Sequence, residues 1–165
     1  MKYFLVLWVS LSWIGLSCTK ISIKGYTATD SLGNIMGVTD ASDWTFDPYW
    51  MKKESDVFSS IDSGDLSGTS AGSISIYPAS PNPCSASFLV HFQSSTKCKA
   101  RIAIVNNKLD KLLGGALSLE AGNNVFSFSV SASGFKAGNL YRMYYVFDAQ
   151  GSLQFKKGHG DIFVQ

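Results

Sequence analysis

Two alternating runs separated by prolines most constrain what this chain can fold into. Ile74-Ser75-Ile76-Tyr77 alternates apolar and polar side chains and stops at Pro78, Pro81 and Pro83; a second alternating run begins at Ala86. A period of two marks a strand with one buried face. Proline lacks the N–H that a ladder needs, so it ends the run. In residues 86–93, Phe88, Val90 and Phe92 share one face; in 98–105, Ala100, Ile102 and Ile104 do, opposite Lys99 and Arg101. These two runs are expected to pair as a hairpin across residues 94–97, with Gln93 opposite Cys98.

The pattern continues to the C-terminus. Residues 109–113 and 117–119 read as short strands around Gly114-Gly115, and 125–130 as another. Residues 140–147 give the strongest strand. Tyr141, Met143, Tyr145 and Phe147 lie on one face, with Leu140, Arg142, Tyr144 and Val146 on the other. Both faces are substantially apolar, so this strand is expected at the centre, its second face packed on the N-terminal segment. Residues 152–157 and 161–164 read as two further strands, joined by a turn at Gly158-His159-Gly160. Seven or eight short strands with Gly/Asn turns predict a mainly β chain, a small antiparallel sandwich.

A length of 165 residues supports one domain plus appendages, and 45% hydrophobic content supports a core. The net charge is only +2, and no Lys/Arg run exceeds a pair. That excludes the concentrated basic face of a nucleic-acid binder.

Met1-Lys2 is a short basic start, residues 3–16 are apolar, and Ser17-Cys18 precedes polar Thr19-Lys20. The apolar run is short for a membrane span and fits an export signal. Gly15-Leu16-Ser17-Cys18 resembles the signal of Bacteroidetes-type lipoproteins, with Leu16 two residues before the cysteine where the commoner pattern has three. The resemblance implies cleavage after residue 17 and acylation of Cys18. The chain would then be exported and held in the membrane, the outer membrane first, on its periplasmic or surface face. Plain secretion and a retained anchor are the alternatives. Export also permits disulfides.

The chain thus divides into a signal (1–17), an N-terminal part (18–73) and a β-domain (74–165). Within the second part, Ile21 and Ile23 offer an edge strand, and residues 26–38 a small hairpin about the Asp30 to Asn34 turn. Asp47-Pro48 is a helix-start signal. Trp50, Met51, Val57 and Phe58 then fall on one face of an expected short helix over residues 48–58. Residues 59–73 are Ser/Gly-rich and read as a linker.

Tyr77, the Pro81-Asn82-Pro83 stop and Gly138-Asn139-Leu140-Tyr141 resemble the C-terminal sorting domain of type IX secretion cargo, an Ig-like β-sandwich. Ala79-Ser80 sits between the two proline elements, no sizeable cargo domain precedes, and the chain carries a lipidation signal. The resemblance therefore implies the fold and not the sorting role. The whole chain is similar to small lipoproteins that join a D-x-x-D-W segment, here Asp40 to Trp44, to such a sandwich.

No catalytic set emerges. Gly68-Thr69-Ser70-Ala71-Gly72 matches G-x-S-x-G, with Asp148 and His159 following, but a polar linker precedes it and a strand follows, the reverse of a nucleophile elbow. Asp30, Asp40, Asp43 and Asp47 match no calcium loop and sit at turn or cap signals. His159 and Asp161 lack a third metal ligand nearby. Cys84 and Cys98 could bridge, but the expected hairpin register holds them apart. No cofactor is read. Trp44, Tyr49, Trp50 and Tyr144 either line an exposed platform for a glycan or pack the core. The expectation is a non-catalytic, lipid-anchored envelope protein, a structural or protein-interaction module. The alternatives are a ligand-binding lipoprotein, glycans among its ligands, and a surface protein related to type IX secretion.

Overall fold

A computed structural model describes residues 20–131 and 134–165. The signal region and Cys18 lie outside the described residues. Among the described residues eight strands form two antiparallel sheets. One holds β2 (Ile74–Ser80), β3 (Ser87–Ser94) and β6 (Gly122–Ser129), in the order β2-β3-β6. The other holds β1 (Thr45–Phe46), β4 (Cys98–Val105), β5 (Lys111–Leu119), β7 (Asn139–Ala149) and β8 (Ser152–Val164), in the order β1-β8-β7-β4-β5. Links β1–β2, β3–β4, β5–β6 and β6–β7 cross between sheets, which gives the small β-sandwich an Ig-like connectivity.

The expected β3–β4 hairpin does not form. Gln93 pairs with Ser75 and Asn123, and Cys98 with Leu119. Each of the two strands has one wholly apolar face. Joined in one sheet, those faces would lie side by side; in opposite sheets they oppose each other across the core. Phe88, Val90 and Phe92 thus share a cluster with Ala100, Ile102 and Ile104, all 1% exposed or less. At the crossing, the Ser94 hydroxyl donates to the Thr96 carbonyl at 2.6 Å.

Two predicted breaks are also absent. Residues 111–113 and 117–119 belong to one strand, β5, which runs through Gly114-Gly115, while Leu109 and Asp110 stay in the preceding turn. Residues 152–157 and 161–164 belong to the thirteen-residue β8. Its glycines mark close approach and not a turn. The Trp44 ring lies over Gly160, and the Thr45 carbonyl over Gly158, where a Cβ would collide with each.

β7 is central, as its pattern implies, between β4 and β8. Tyr141, Met143, Tyr145 and Phe147 enter the core between the sheets. Tyr144 and Val146, on the opposite face, pack with Ile21, Trp50, Val57, Phe58 and Ile61 in a second cluster. Residues 21–23 and 50–61 therefore form an outer layer over β4 and β7 of the five-stranded sheet, and Trp44 enters the main core.

The helix is shorter than expected. It is one α turn (α1, Lys52–Ser55) followed by a 3-10 turn at Asp56–Phe58. Met51, not Asp47, precedes its first turn, and its N–H donates to the Glu54 carboxylate at 2.8 Å. Met51 is exposed, and Ile61 takes the place expected for it in the buried cluster. No strand forms at residues 20–25, where Ile21 donates its N–H to the Asn107 carbonyl. The hairpin of residues 26–38 is held by a Thr29–Ile35 bridge and by backbone bonds of Ala28 to Met36 and Val38.

The Gly138-Asn139-Leu140-Tyr141 motif has a structural meaning. The Tyr141 hydroxyl accepts the Lys136 N–H at 2.7 Å, and Phe135 packs edge-on against its ring. A tyrosine at the start of such a strand, bonded to backbone a few residues upstream, is the tyrosine corner of Ig-like sandwiches.

Candidate functional site: the outer face of the three-stranded sheet

A two-sheet sandwich has two inner and two outer faces. The inner pair makes the core, and residues 21–23 and 50–61 cover the outer face of the larger sheet over β4 and β7. The outer face of β2-β3-β6 remains. Across it, Tyr77 pairs with His91 and His91 with Val125, so these three exposed side chains form one row. The next row pairs Ser75, Gln93 and Asn123. The Tyr77 hydroxyl bonds to Gln93 Oε1 at 3.3 Å, which steers the ring along the strand.

The loop of residues 30–38 forms one wall. Asp30 orders it by accepting the N–H groups of Leu32 and Asn34 and the Asn34 side-chain amide, all within 2.9 Å. The Asn34 amide, followed by its backbone N–H, holds the Asp30 carboxyl below its ordinary range. Leu32 (85% exposed) and Ile35 (57%) project from this wall, and Gly33 lies beside Ser80. Together, wall and sheet enclose a groove of about 600 Å³. Its lining includes Leu32, Ile35, Tyr77, His91, Asn123 and Val125, with no Asp, Glu, Lys or Arg.

The residues singled out in the sequence lie elsewhere. Trp44, Trp50 and Tyr144 are buried, so these three form no exposed platform. The physical reason is that each seals a contact between segment and sheet. Trp44 stacks on Tyr145, while Trp50 stacks on Phe58 and meets Tyr144 edge-on. The Tyr144 hydroxyl donates to Glu54, and burial, then this bond, pushes its ionisation well up. Tyr49 is 75% exposed but stands apart from the groove.

Ser70, Asp148 and His159 are not brought together. The Ser70 N–H bonds to the Lys97 carbonyl, whereas His159 lies level with Tyr144 and Ala103. Six residues of β4 separate Lys97 from Ala103, roughly 20 Å of strand. Asp148 is buried against Arg101, with Nε to Oδ2 at 2.6 Å. His159 Nδ1 instead meets Asp47 Oδ2 at 2.7 Å, and the same carboxylate accepts the Trp50 indole N–H at 2.6 Å. Asp47 therefore clasps the N-terminal segment to β8 and caps no helix.

Asp40 orders the turn at Ser42, whose hydroxyl, then backbone N–H, lowers its ionisation. Asp43 is buried and accepts the N–H groups of Thr27 and Asp161. Burial pushes its carboxyl up to about 6, with those N–H bonds opposing. Cys84 and Cys98 are buried free thiols. Burial raises both, Cys84 to about 11. Among the described residues no group of three His, Cys, Asp or Glu is arranged to hold a metal, and no helix is long and apolar enough to cross a membrane.

The groove residues were not singled out in the sequence. In the sequence Tyr77 is a strand end before a proline stop and part of the sorting-domain resemblance, and Leu32 and Ile35 are pieces of a hairpin. The available signal was the alternation itself. It puts Ser75 and Tyr77 opposite the core face, and Tyr77 is too large and apolar to be mere solvent-facing filler. No protein-family model matches the chain, and no curated protein matches it.

Proposed function

We propose that this chain is a lipid-anchored protein of the cell envelope whose sandwich serves as a non-catalytic binding module, with the outer face of β2-β3-β6 turned to its partner. One observation carries the module reading. Among the described residues, four of the nine large exposed hydrophobic side chains, Leu32, Ile35, Tyr77 and Val125, line this groove, and two more, Met36 and Val38, follow in the same loop. Apolar exposure concentrated on one face marks an interaction surface. Against this, the charged groups that could do chemistry are held in structural pairs: Arg101–Asp148, Arg142–Asp161 and His159–Asp47.

The anchor rests on the Leu16-Ser17-Cys18 signal. Acyl chains on Cys18 would hold the protein firmly, since each buried methylene contributes about 0.8 kcal/mol. Intact mass and membrane fractionation of the native protein beside Cys18→Ala test it. An acylated mass and release of the variant from the membrane fraction support the anchor. An unmodified mass with soluble native protein rejects it, and the Pro81-Asn82-Pro83 sandwich then becomes a candidate secretion signal.

A further inference from the structure

We infer that the groove between the residue 30–38 loop and the β2-β3-β6 face is a saccharide site that takes an uncharged pyranose unit against the Tyr77 ring. The inference rests on the reading of this face as a binding surface and is independent of the anchor.

The lining chemistry selects the ligand. With no Asp, Glu, Lys or Arg in the lining, a phosphate, carboxylate or ammonium entering the groove would lose water and meet no permanent counter-charge, which is costly; the His91 imidazole is the one basic group in the lining. Uronates, phospholipid headgroups and charged peptides are disfavoured on that ground. A purely apolar occupant fails for the opposite reason. His91 and Asn123 lie in adjacent rows of the floor, and an alkyl ligand would bury their polar atoms without partners. A bilayer fails too, because this surface is concave and its floor is polar.

A neutral sugar ring satisfies both demands. Its C–H face can stack on Tyr77, which is 49% exposed and oriented through Gln93, with Val125 and Ile35 alongside. Its hydroxyl edge can bond to His91 and Asn123. The Asn124 amide is already spent on the Glu120 and Gly122 carbonyls, so Asn123 is the available amide on β6. A volume of about 600 Å³ lies within the range of small-ligand sites.

The test is a ¹⁵N NMR titration of the purified full chain with maltotriose, cellotriose, mannotriose and triacetylchitotriose, with trigalacturonate as the charged counterpart. The expected result is that at least one neutral trisaccharide shifts the amides of Tyr77, His91 and Val125 while trigalacturonate does not. Tyr77→Ala should weaken that binding about tenfold; Tyr77→Phe, which keeps the ring, and Tyr49→Ala, which alters an exposed tyrosine outside the groove, should leave it within about threefold. The inference is overturned if no neutral trisaccharide shifts these amides at millimolar concentration, if the shifts map elsewhere, or if trigalacturonate binds equally well. Unweakened binding to a folded Tyr77→Ala chain also overturns it. Should that variant not fold, the wild-type shift map decides. Failure here leaves the anchor intact, because membrane release of Cys18→Ala is read separately.

Discussion

The Asn82 side chain is bonded to the backbone of Asp161: its amide donates to the Asp161 carbonyl at 2.9 Å, across 79 residues of sequence. The same amide donates to the Thr27 carbonyl at 3.0 Å, and its oxygen accepts the Phe163 N–H at 2.9 Å. Asn82 is fully buried, and its backbone pairs with Thr29 in both directions. The middle residue of the Pro-Asn-Pro stop thus ties the N-terminal segment to the last strand. Asn82→Ala strands three backbone groups in a buried site. At roughly 1–3 kcal/mol for each unpaired group, partly relieved by water, a loss of about 3 kcal/mol is expected by urea unfolding.

Asp43 gives a pH signature. Its folded carboxyl sits at about 6 against an ordinary 3.8, with burial the main cause. Between those values the folded chain keeps a proton that the unfolded chain has released, so this group's contribution falls as pH rises through the window. Full loss over about two units corresponds to about 3 kcal/mol. Asp43→Asn removes the titration. Stability of wild type relative to the variant should therefore fall between about pH 4 and pH 6.5 and stay flat above. A difference independent of pH would contradict the placement of Asp43.

Among the described residues Arg101 is the one cation paired with buried Asp148, and it also donates to the Ile61 carbonyl at 3.2 Å. Removing it leaves an uncompensated carboxylate under the covering segment. Arg101→Ala should cost about 3–5 kcal/mol. Arg101→Met combined with Asp148→Leu should recover much of that loss, although the Gln154 N–H then loses its acceptor.

Tyr141→Phe isolates the tyrosine corner. The ring contact with Phe135 survives, but the Lys136 N–H loses its 2.7 Å acceptor. A loss of about 1 kcal/mol is expected in thermal or urea unfolding.

Much of the architecture is legible in the alternation of residues 74–164, because alternation reports directly which face of a strand is buried. The two-faced Tyr141 to Phe147 pattern even gives β7 its central place. Alternation does not report sheet membership. Phe88, Val90 and Phe92 look the same whether Ile102 lies beside them or across the core, and only the need to oppose two apolar faces decides. Gly158 and Gly160 mislead because a glycine that admits a neighbour's ring and a glycine that turns the chain are the same letter. Trp44, forced by a left-handed backbone (φ 56) over Gly160, supplies the distinction only in three dimensions. Asn82 and Asp43 were legible as turn residues, and their long-range bonds were not. The groove escaped for a similar reason: Leu32 and Tyr77 lie 45 positions apart in the chain and meet only when the residue 30–38 loop folds against β2.

One outer face of the sandwich is covered over β4 and β7 by residues 21–23 and 50–61, while the other is open for binding. Hydroxyl-radical footprinting of the full chain tests it most directly. Fast labelling is expected at Leu32, Met36 and Tyr77, and slow labelling at Trp50, Tyr144 and Met143. Labelling of Trp50 and Tyr144 as fast as Tyr77 would mean that the segment does not cover the five-stranded sheet, and protection of Tyr77 in the isolated chain would mean that the β2-β3-β6 face is not open.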